Sequence, residues 1–214
     1  IKYDSPFGKG RPGWHTECAA FIDTYFKGKT IDIHGGGIDL IFPHHENENI
    51  QHYALYNQNI ANKWIHFGTL NYKNQKMSKS IGNIIYPHDF LKQYYADTYR
   101  LTLLMTNYSK PINMTDELFE ANNNLIKKYL ITWNQFQLST EFKTQKVNEE
   151  LMKNILTLIG SLDFANANKE IFALSKDKNN LVTFFEVMKV LGFLFPLKFL
   201  SNEIKEIYKE WLCL

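Results

Sequence analysis

The stretch Asp32-Ile-His-Gly-Gly-Gly-Ile-Asp-Leu-Ile-Phe-Pro-His-His-Glu-Asn-Glu48 decides the fold of this chain. Apolar residues that alternate over 30–33 predict a strand, and the glycines after them predict a turn with positive φ, where the backbone can approach a ligand. Pro43 suits the first turn of a helix, so His44 and Glu48 share one helical face. The turn is typical of nucleotide binding, and the pair has the spacing of metal ligands. A tight turn and a polar helix N-terminus are the plainer interpretations.

The composition describes a globular chain with no extreme property. Its 214 residues are 44% hydrophobic, which suffices for one large domain or for one domain with a smaller partner. The net charge of +2 neither requires nor excludes a nucleic-acid partner. The two cysteines, Cys18 and Cys213, imply no disulfide framework and predict a reducing, cytoplasmic location. No apolar run reaches the roughly 20 residues of a membrane span, so we expect no membrane partner.

Helices and strands alternate in the first third of the chain. A first helix is predicted from Pro12 to just before Gly28, with an apolar stripe that places Cys18 on its buried face; the stripe comprises Trp14, Cys18, Phe21, Ile22 and Tyr25. A second helix continues to Tyr56, and a buried strand is predicted over 64–70. This alternation predicts an α/β layer with a parallel sheet.

The remainder of the chain is predicted to be almost wholly helical from Pro87 onward. Short helices are predicted over 89–95 and 97–106, and Thr115 is the predicted N-cap of a long one. Residues 139–148 are a predicted linker, and 149–214 offer three or four amphipathic helices, the last capped by Ser201.

The polar loop 71–83 carries the most specific chemical signal, Lys76-Met-Ser-Lys-Ser80. Two lysines three residues apart on small, flexible residues can place cationic groups on a polyphosphate and stabilise the charge on a leaving pyrophosphate. A mobile loop can also close only when the transition state forms. The plainer interpretation is a solvated surface loop.

Four motifs follow one another in a fixed order: Gly10-Arg-Pro-Gly-Trp-His-Thr-Glu-Cys18, His34-Gly-Gly-Gly-Ile-Asp39, Phe42-Pro-His-His-Glu-Asn-Glu48 and Lys76-Met-Ser-Lys-Ser-Ile-Gly-Asn83. Together they resemble the cysteinyl-tRNA synthetase family of class I aminoacyl-tRNA synthetases, closely over about residues 5–110 and more loosely beyond. The resemblance implies an α/β fold, the second half of a Rossmann-like catalytic domain, followed by an α-helical bundle. The implied domains are a catalytic nucleotide-binding part at 1–110, a helical stem-contact region and linker at 111–148, and an anticodon-side bundle at 149–214.

The resemblance also implies the activity, which is ATP-dependent activation of cysteine and its transfer to tRNA(Cys). It assigns one Zn²⁺ per chain to Cys18, His44 and Glu48, which matches the donor types that zinc prefers. His45 and Glu46 are rival ligands that helical spacing directs away from the His44/Glu48 face.

Further roles are implied for the remaining motif residues. Gly37 and Asp39 would contact adenosine, Lys79 would contact the phosphates of ATP (accompanied by Mg²⁺) with Lys76 assisting, and Trp14 and His34 would line the cysteine pocket. The other histidines, His15 and His66 among them, are taken as structural. A monomer is expected, and the candidate tRNA contacts are Lys127, Lys128, Lys143 and Lys146.

The chain departs from the family pattern in two respects. It contains no His-x-Gly-His signature, and an early cysteine that would complete the zinc ligands is absent, with Cys213 a poor substitute. We therefore expect a C-terminal part of a synthetase that exposes Trp14, Phe21 and Ile33.

Two alternative functions stay open. One is a related ligase that joins cysteine to an amino-sugar, which the long helical tail after Tyr108 disfavours. The other is a non-catalytic zinc- or tRNA-binding module, which the intact lysine loop disfavours.

Overall fold

The computed structural model describes residues 1–193, except for the side chains of residues 142 and 143. The chain divides into two compact units between Thr69 and Leu70. The predicted domain bounds at 110 and 148 stay predictions. The predicted helix capped by Ser201 and the whole of 194–214 lie outside the described residues.

The first unit is a parallel β-α-β arrangement preceded by a helix. Its elements are α1 (Trp14–Phe26), β1 (Ile31–Gly37), a 3₁₀ turn (Ile38–Leu40), a helical turn (Ile41–His45), α2 (Glu46–Tyr56) and β2 (Ala61–Phe67). β1 and β2 pair in parallel, with Ile31 opposite Ala61 and Gly37 opposite Phe67. The predicted parallel sheet is thus confirmed. β2 begins three residues earlier than the predicted strand, and of its side chains only Ala61 is buried, so the prediction of a buried strand is wrong.

The predicted glycine turn is wrong. Gly35, Gly36 and Gly37 continue β1 opposite residues of β2, and none of the three has a positive φ. The missing side chain of Gly36 allows His45 to pack closely against β1, because a Cβ on Gly36 would lie 2.5 Å from Cε1 of His45. The turn between strand and helix starts only at Ile38.

The predicted helix start at Pro43 is also displaced. Phe42 has an extended backbone (φ −136°, ψ 135°) that interrupts the helical turn, and α2 itself begins at Glu46. His45 nevertheless has helical dihedral angles (φ −65°, ψ −35°). His44 therefore keeps the four-residue relation to Glu48 that the sequence predicts.

Helix α1 packs against α2 but buries none of its own residues. Trp14, Phe21 and Tyr25 of the predicted stripe are 69%, 57% and 79% exposed, so the prediction of a buried face is wrong for this unit. Ile33 of β1 is 57% exposed as well. The expected exposure of Trp14, Phe21 and Ile33 is thereby confirmed.

The second unit starts with a small sheet that the sequence did not predict. β3 (Leu70–Tyr72) pairs antiparallel with β4 (Gln75–Lys76) and parallel with β5 (Ile112–Met114). Lys73 and Asn74 have left-handed backbones and form the two-residue hairpin turn between β3 and β4. The predicted loop 71–83 therefore begins as a hairpin. Asp116 holds this hairpin, since it accepts from Tyr72 Oη and pairs with Lys73 Nζ, both at 2.7 Å.

Helices account for most of the rest of the second unit. They are α3 (Pro87–Phe90), α4 (Ala96–Leu104), α5 (Asp116–Gln137), α6 (Glu141–Thr144), α7 (Glu149–Gly160), α8 (Phe164–Leu174) and α9 (Leu181–Val190), with a 3₁₀ turn at Lys178–Asn180. The predicted N-cap is confirmed, because Thr115 Oγ1 accepts from the backbone N–H of Leu118 at 3.2 Å. Buried side chains of α5, among them Trp133 and Phe136, share a core with α7, α8 and α9.

The predicted linker 139–148 is not a free tether. This segment contains α6, and Gln145 binds it to the residues before α9. The side-chain amide of Gln145 donates to the carbonyl of Lys178, and its Oε1 accepts from the N–H of Val182. Among the helices of residues 1–193, none has both the length and the apolar character needed to cross a bilayer.

Candidate functional site

The three predicted metal ligands lie together in the first unit. Cys18 comes from α1, His44 from the turn before α2, and Glu48 from α2 itself. One donor atom of each lies within 4.8 Å of the others, and Glu48 and His44 are only 1% and 7% exposed. His44 Nε2 lies 2.7 Å from Glu48 Oε1. The structure therefore brings together a sulfur, a nitrogen and an oxygen donor, of which His44 and Glu48 are buried and Cys18 is half-buried.

Glu48 Oε1 is the feature of this group that calls for a cation. It is buried and has no hydrogen-bond partner within the described residues, since its close approach to His44 Nε2 lacks hydrogen-bond geometry. A buried carboxylate oxygen without a donor is costly. A metal ion shared with His44 and Cys18 would satisfy it, so the residues fit a zinc ion by donor type and by burial.

Burial and the neighbouring charges set the ionisation of the group. Burial raises the pKa of the Cys18 thiol, and the neighbouring Glu48 carboxylate raises it further. Burial acts to raise the pKa of Glu48 too, but the hydrogen bond from His34 and the nearby His44 outweigh it and lower that pKa. The carboxylate is thus the anion of the group, while the thiol keeps its proton until a cation reverses the balance.

A second set of possible ligand atoms shares the same carboxylate. His34, His45 and Glu48 also place donor atoms within 4.8 Å of one another. His34 Nε2 is hydrogen-bonded to Glu48 Oε2 at 2.9 Å, and its ring stacks on Trp64 with centroids 4.5 Å apart. The expectation that His45 points away from Glu48 is wrong, because the missing side chain of Gly36 leaves room for its ring. The other predicted rival, Glu46, is exposed and belongs to neither set.

Two histidines taken as structural from the sequence belong to this cluster. His15 Nδ1 lies 2.8 Å from His44 Nδ1, and His66 Nε2 lies 2.8 Å from His45 Nδ1. The sequence carried one usable signal, which is that His15 and Cys18 are three residues apart on a predicted helix and so share a face. Nothing comparable marks His66, because it lies on β2 and its partner His45 lies in the helical turn before α2.

The remaining predicted residues of this unit lie at its surface. Trp14 is mostly exposed, and its ring lies 5.2 Å from that of His44. Asp39 is exposed in the 3₁₀ turn, and its carboxylate occupies the space that a side chain on Gly37 would need. Both are therefore open to a ligand.

The two lysines of the loop belong to the second unit. Lys76 ends β4 and Lys79 follows it, both are exposed, and within the described part of the chain neither ammonium pairs with a carboxylate. Asn83 braces the loop, because its Oδ1 accepts from Ser78 N at 2.8 Å and its Nδ2 donates to the carbonyl of Lys76 at 3.3 Å. The lysine charges are thus free while the backbone between them is held.

Comparison with known proteins agrees with the resemblance seen in the sequence. Residues 1–124 match the family model described as tRNA synthetases class I (C) catalytic domain. The chain is 42% identical over 236 residues to the cysteine–tRNA ligase of Mycoplasma mycoides subsp. mycoides SC, a match that covers 99% of this chain and 52% of that protein. It is 43% identical to the cysteine–tRNA ligase of Mesomycoplasma hyopneumoniae strain 232, covering 98% of this chain and 50% of that protein. The chain therefore spans about half the length of the curated relatives it matches.

Solved structures share the fold. The ternary complex of Agrobacterium radiobacter K84 agnB2 LeuRS with tRNA and LeuAMS matches with a TM-score of 0.63 at 16% identity, over 89% of this chain and 32% of that one. Methionyl-tRNA synthetase of Mycobacterium tuberculosis bound by methionyl-adenylate matches with a TM-score of 0.53 at 18% identity, over 75% of this chain and 39% of that one. Since the family model covers more than half of the 214 residues, the chain belongs to the class I tRNA synthetases, in the family of the (C) catalytic domain.

Proposed function

We propose that this chain forms part of a cysteine–tRNA ligase, which activates cysteine with ATP to cysteinyl-adenylate and transfers it to the 3′ end of tRNA(Cys). The observation that carries the proposal is the group of Cys18, His44 and Glu48, with donor atoms within 4.8 Å of one another and a buried carboxylate oxygen that accepts no hydrogen bond within the described residues. The curated relatives support the choice of amino acid, because they are cysteine–tRNA ligases at 42% and 43% identity.

Cys18, His44 and Glu48 would hold one zinc ion per chain. When bound, zinc would supply a Lewis-acidic position that a soft thiolate occupies far better than a hydroxyl does. A site that demands one polar partner rejects an analogue that lacks it, so cysteine is separated from serine. Trp14 and His34 would line the pocket, and the exposure of Trp14 beside His44 supports its part in this role.

The residues for ATP form the second part of the proposal. The exposed carboxylate of Asp39 would accept hydrogen bonds from the ribose hydroxyls, with Gly37 allowing the close approach. Lys79, assisted by Lys76, would bind the phosphates, which Mg²⁺ would accompany. Both ammonium groups are unpaired in the described residues, so they can stabilise the charge that develops on pyrophosphate.

Transfer RNA would contact the helical part of the chain. Lys127 and Lys128 are exposed on α5, and Lys146 is exposed after α6, whereas the side chain of Lys143 lies outside the described residues. Contacts of lysines with phosphates weaken as salt rises. The proposal includes the division into a catalytic part at 1–110, a stem-contact region at 111–148 and an anticodon-side bundle at 149–214. It also includes a monomer that works in the cytoplasm.

Substitution of Cys18 tests the proposal directly. In a form of the protein that activates cysteine, Cys18→Ser should lower both the zinc content, from about one ion per chain, and the rate of ATP–pyrophosphate exchange with cysteine, because a hydroxyl is a poor zinc ligand. Zinc content is measured by atomic emission. The rate of ATP–pyrophosphate exchange is measured with labelled pyrophosphate. Cys213→Ser is the matched control and should change neither. A normal zinc content and a normal rate of exchange in Cys18→Ser would contradict the proposal. Ligation of cysteine to an amino-sugar in place of tRNA would favour the related ligase.

A further inference from the structure

His15 faces the metal group from the side opposite to Glu48. Its Nδ1 lies 2.8 Å from Nδ1 of His44, and the two ring centroids are 5.0 Å apart at an angle of 58°. The other nitrogen of His44, Nε2, points to Glu48 Oε1 at 2.7 Å. The imidazole of His44 thus has its Nδ1 beside His15 of α1 and its Nε2 beside the carboxylate of α2.

We infer that His15 is a positioning residue for the metal centre, because its Nδ1 accepts the proton of His44 Nδ1 and so leaves Nε2 of His44 free to bind a metal. The inference rests on the proposed function, from which it takes His44 as a zinc ligand, and it adds the residue that prepares this ligand.

The direction of the hydrogen bond follows from the chemistry of imidazole. A neutral histidine carries one N–H, and the nitrogen that binds a metal must offer a lone pair. Since Nε2 of His44 lies 2.7 Å from Oε1 of the proposed ligand Glu48, Nε2 is the nitrogen placed to share a metal with that carboxylate, and the inference assigns the proton of His44 to Nδ1. His15 must then accept at its own Nδ1 and carry its proton on Nε2.

The same contact fixes the orientation of the His44 ring. His44 is 7% exposed, and Trp14 lies against it with ring centroids 5.2 Å apart. His15 and Cys18 are three residues apart on α1, so one face of this helix supplies a ligand atom and the partner of another ligand. Loss of such an outer partner costs about 10- to 100-fold in metal affinity.

Three substitutions in the 214-residue chain separate this role from simple packing. His15→Phe keeps a ring but removes the acceptor, and it should weaken zinc binding by about 10- to 100-fold. In His15→Asn the amide oxygen replaces Nδ1 as acceptor, so affinity should stay within a few-fold of the unaltered chain. His52→Phe is the matched control: His52 is a buried histidine of the same unit that lies against Tyr56 and not in the metal group, so zinc affinity should not change.

Zinc affinity is measured by competition with a chromophoric chelator, and the visible absorption of bound Co²⁺ reports the geometry at the metal. Circular dichroism of the metal-free chains checks that each variant is folded, and His15→Ala replaces His15→Phe where the larger ring disturbs the fold. A His15→Phe or His15→Ala chain that is folded and binds zinc as tightly as the unaltered chain would overturn the inference while the zinc site itself stands. Equal weakening in His15→Asn would overturn the acceptor role. An unaltered chain that binds no zinc would overturn this inference together with the zinc-site part of the proposed function.

Discussion

Gly36 is the glycine of β1 at which an added Cβ would clash with a side chain beyond the 3₁₀ turn that follows the strand. A Cβ at this position would lie 2.5 Å from Cε1 and 2.8 Å from Nε2 of the buried His45 ring. At Gly35 the same atom would meet its neighbours at 3.6 Å, an ordinary contact distance. Gly36→Ala should therefore destabilise the chain by about 1–3 kcal/mol, the usual cost of overpacking, as measured by urea unfolding.

Gly35→Ala is the control for the change of residue type in the same strand, and it should unfold near the urea concentration of the unaltered chain. Equal destabilisation by the two substitutions would show that strand geometry, and not the contact with His45, explains the glycine.

Some contacts of single residues could be predicted from the sequence, and others could not. The trio of Cys18, His44 and Glu48 could be predicted, because motif resemblance and helical spacing converge on it. The pairing of His15 with His44 could not, since 29 positions separate the two residues and only the packing of α1 beside α2 brings them together. The direction of His45 could not be predicted, because its position relative to Glu48 depends on space left by a glycine of another element.

At the scale of elements, the lysine loop combines a fixed backbone with free charges. Asn83 holds the loop through Ser78 and the carbonyl of Lys76, while the ammonium of Lys79 is exposed. In a form of the protein that activates cysteine, Lys79→Ala should slow adenylate formation by roughly 100- to 1000-fold, the scale of one lost transition-state partner. Cysteine binding should change little, because its proposed contacts lie in the other unit. Stopped-flow measurement of adenylate formation and equilibrium binding of cysteine give the two quantities.

Lys73 provides a matched comparison for that experiment. It lies in the hairpin turn that precedes the loop, but its ammonium is paired with Asp116 at 2.7 Å, and hydrogen bonding to Asp116 raises its pKa. Lys73→Ala should therefore leave adenylate formation close to its original rate. A parallel loss of cysteine binding and of rate in Lys79→Ala would contradict the assignment of that lysine to the phosphates.

The elements were predictable in proportion to their length. The long helix α5 is predictable from apolar residues at helical spacing and from the Thr115 cap, because many residues contribute to its pattern. The strands β4 and β5 have two and three residues and therefore too few alternations to be recognised. The three glycines of β1 by themselves predict a turn. In the structure, backbone pairing with β2, and not the preference of glycine, holds them extended.

At the scale of the whole molecule, the exposed apolar residues of the first unit limit what the chain can do alone. Trp14, Phe21 and Ile33 are all more than half exposed, whereas parallel sheets are normally covered on both faces. The 214 residues also contain no His-x-Gly-His signature to steady ATP phosphates. The chain by itself should show no cysteine-dependent ATP–pyrophosphate exchange above background.

Addition of a polypeptide that corresponds to the unmatched half of a curated relative should restore exchange and protect Trp14 from a fluorescence quencher. A polypeptide of equal length from an unrelated protein serves as the control. Exchange by the 214-residue chain alone, in a preparation shown by mass spectrometry to contain nothing longer, would contradict this prediction.

The division between Thr69 and Leu70 has an evolutionary consequence. The side chains proposed to choose the amino acid all precede this point, and the lysines proposed to act on the phosphates all follow it. Substitutions that alter the choice of amino acid therefore leave the lysine loop intact within its own unit. A lineage with this arrangement can diverge toward new amino acids without rebuilding its phosphate chemistry.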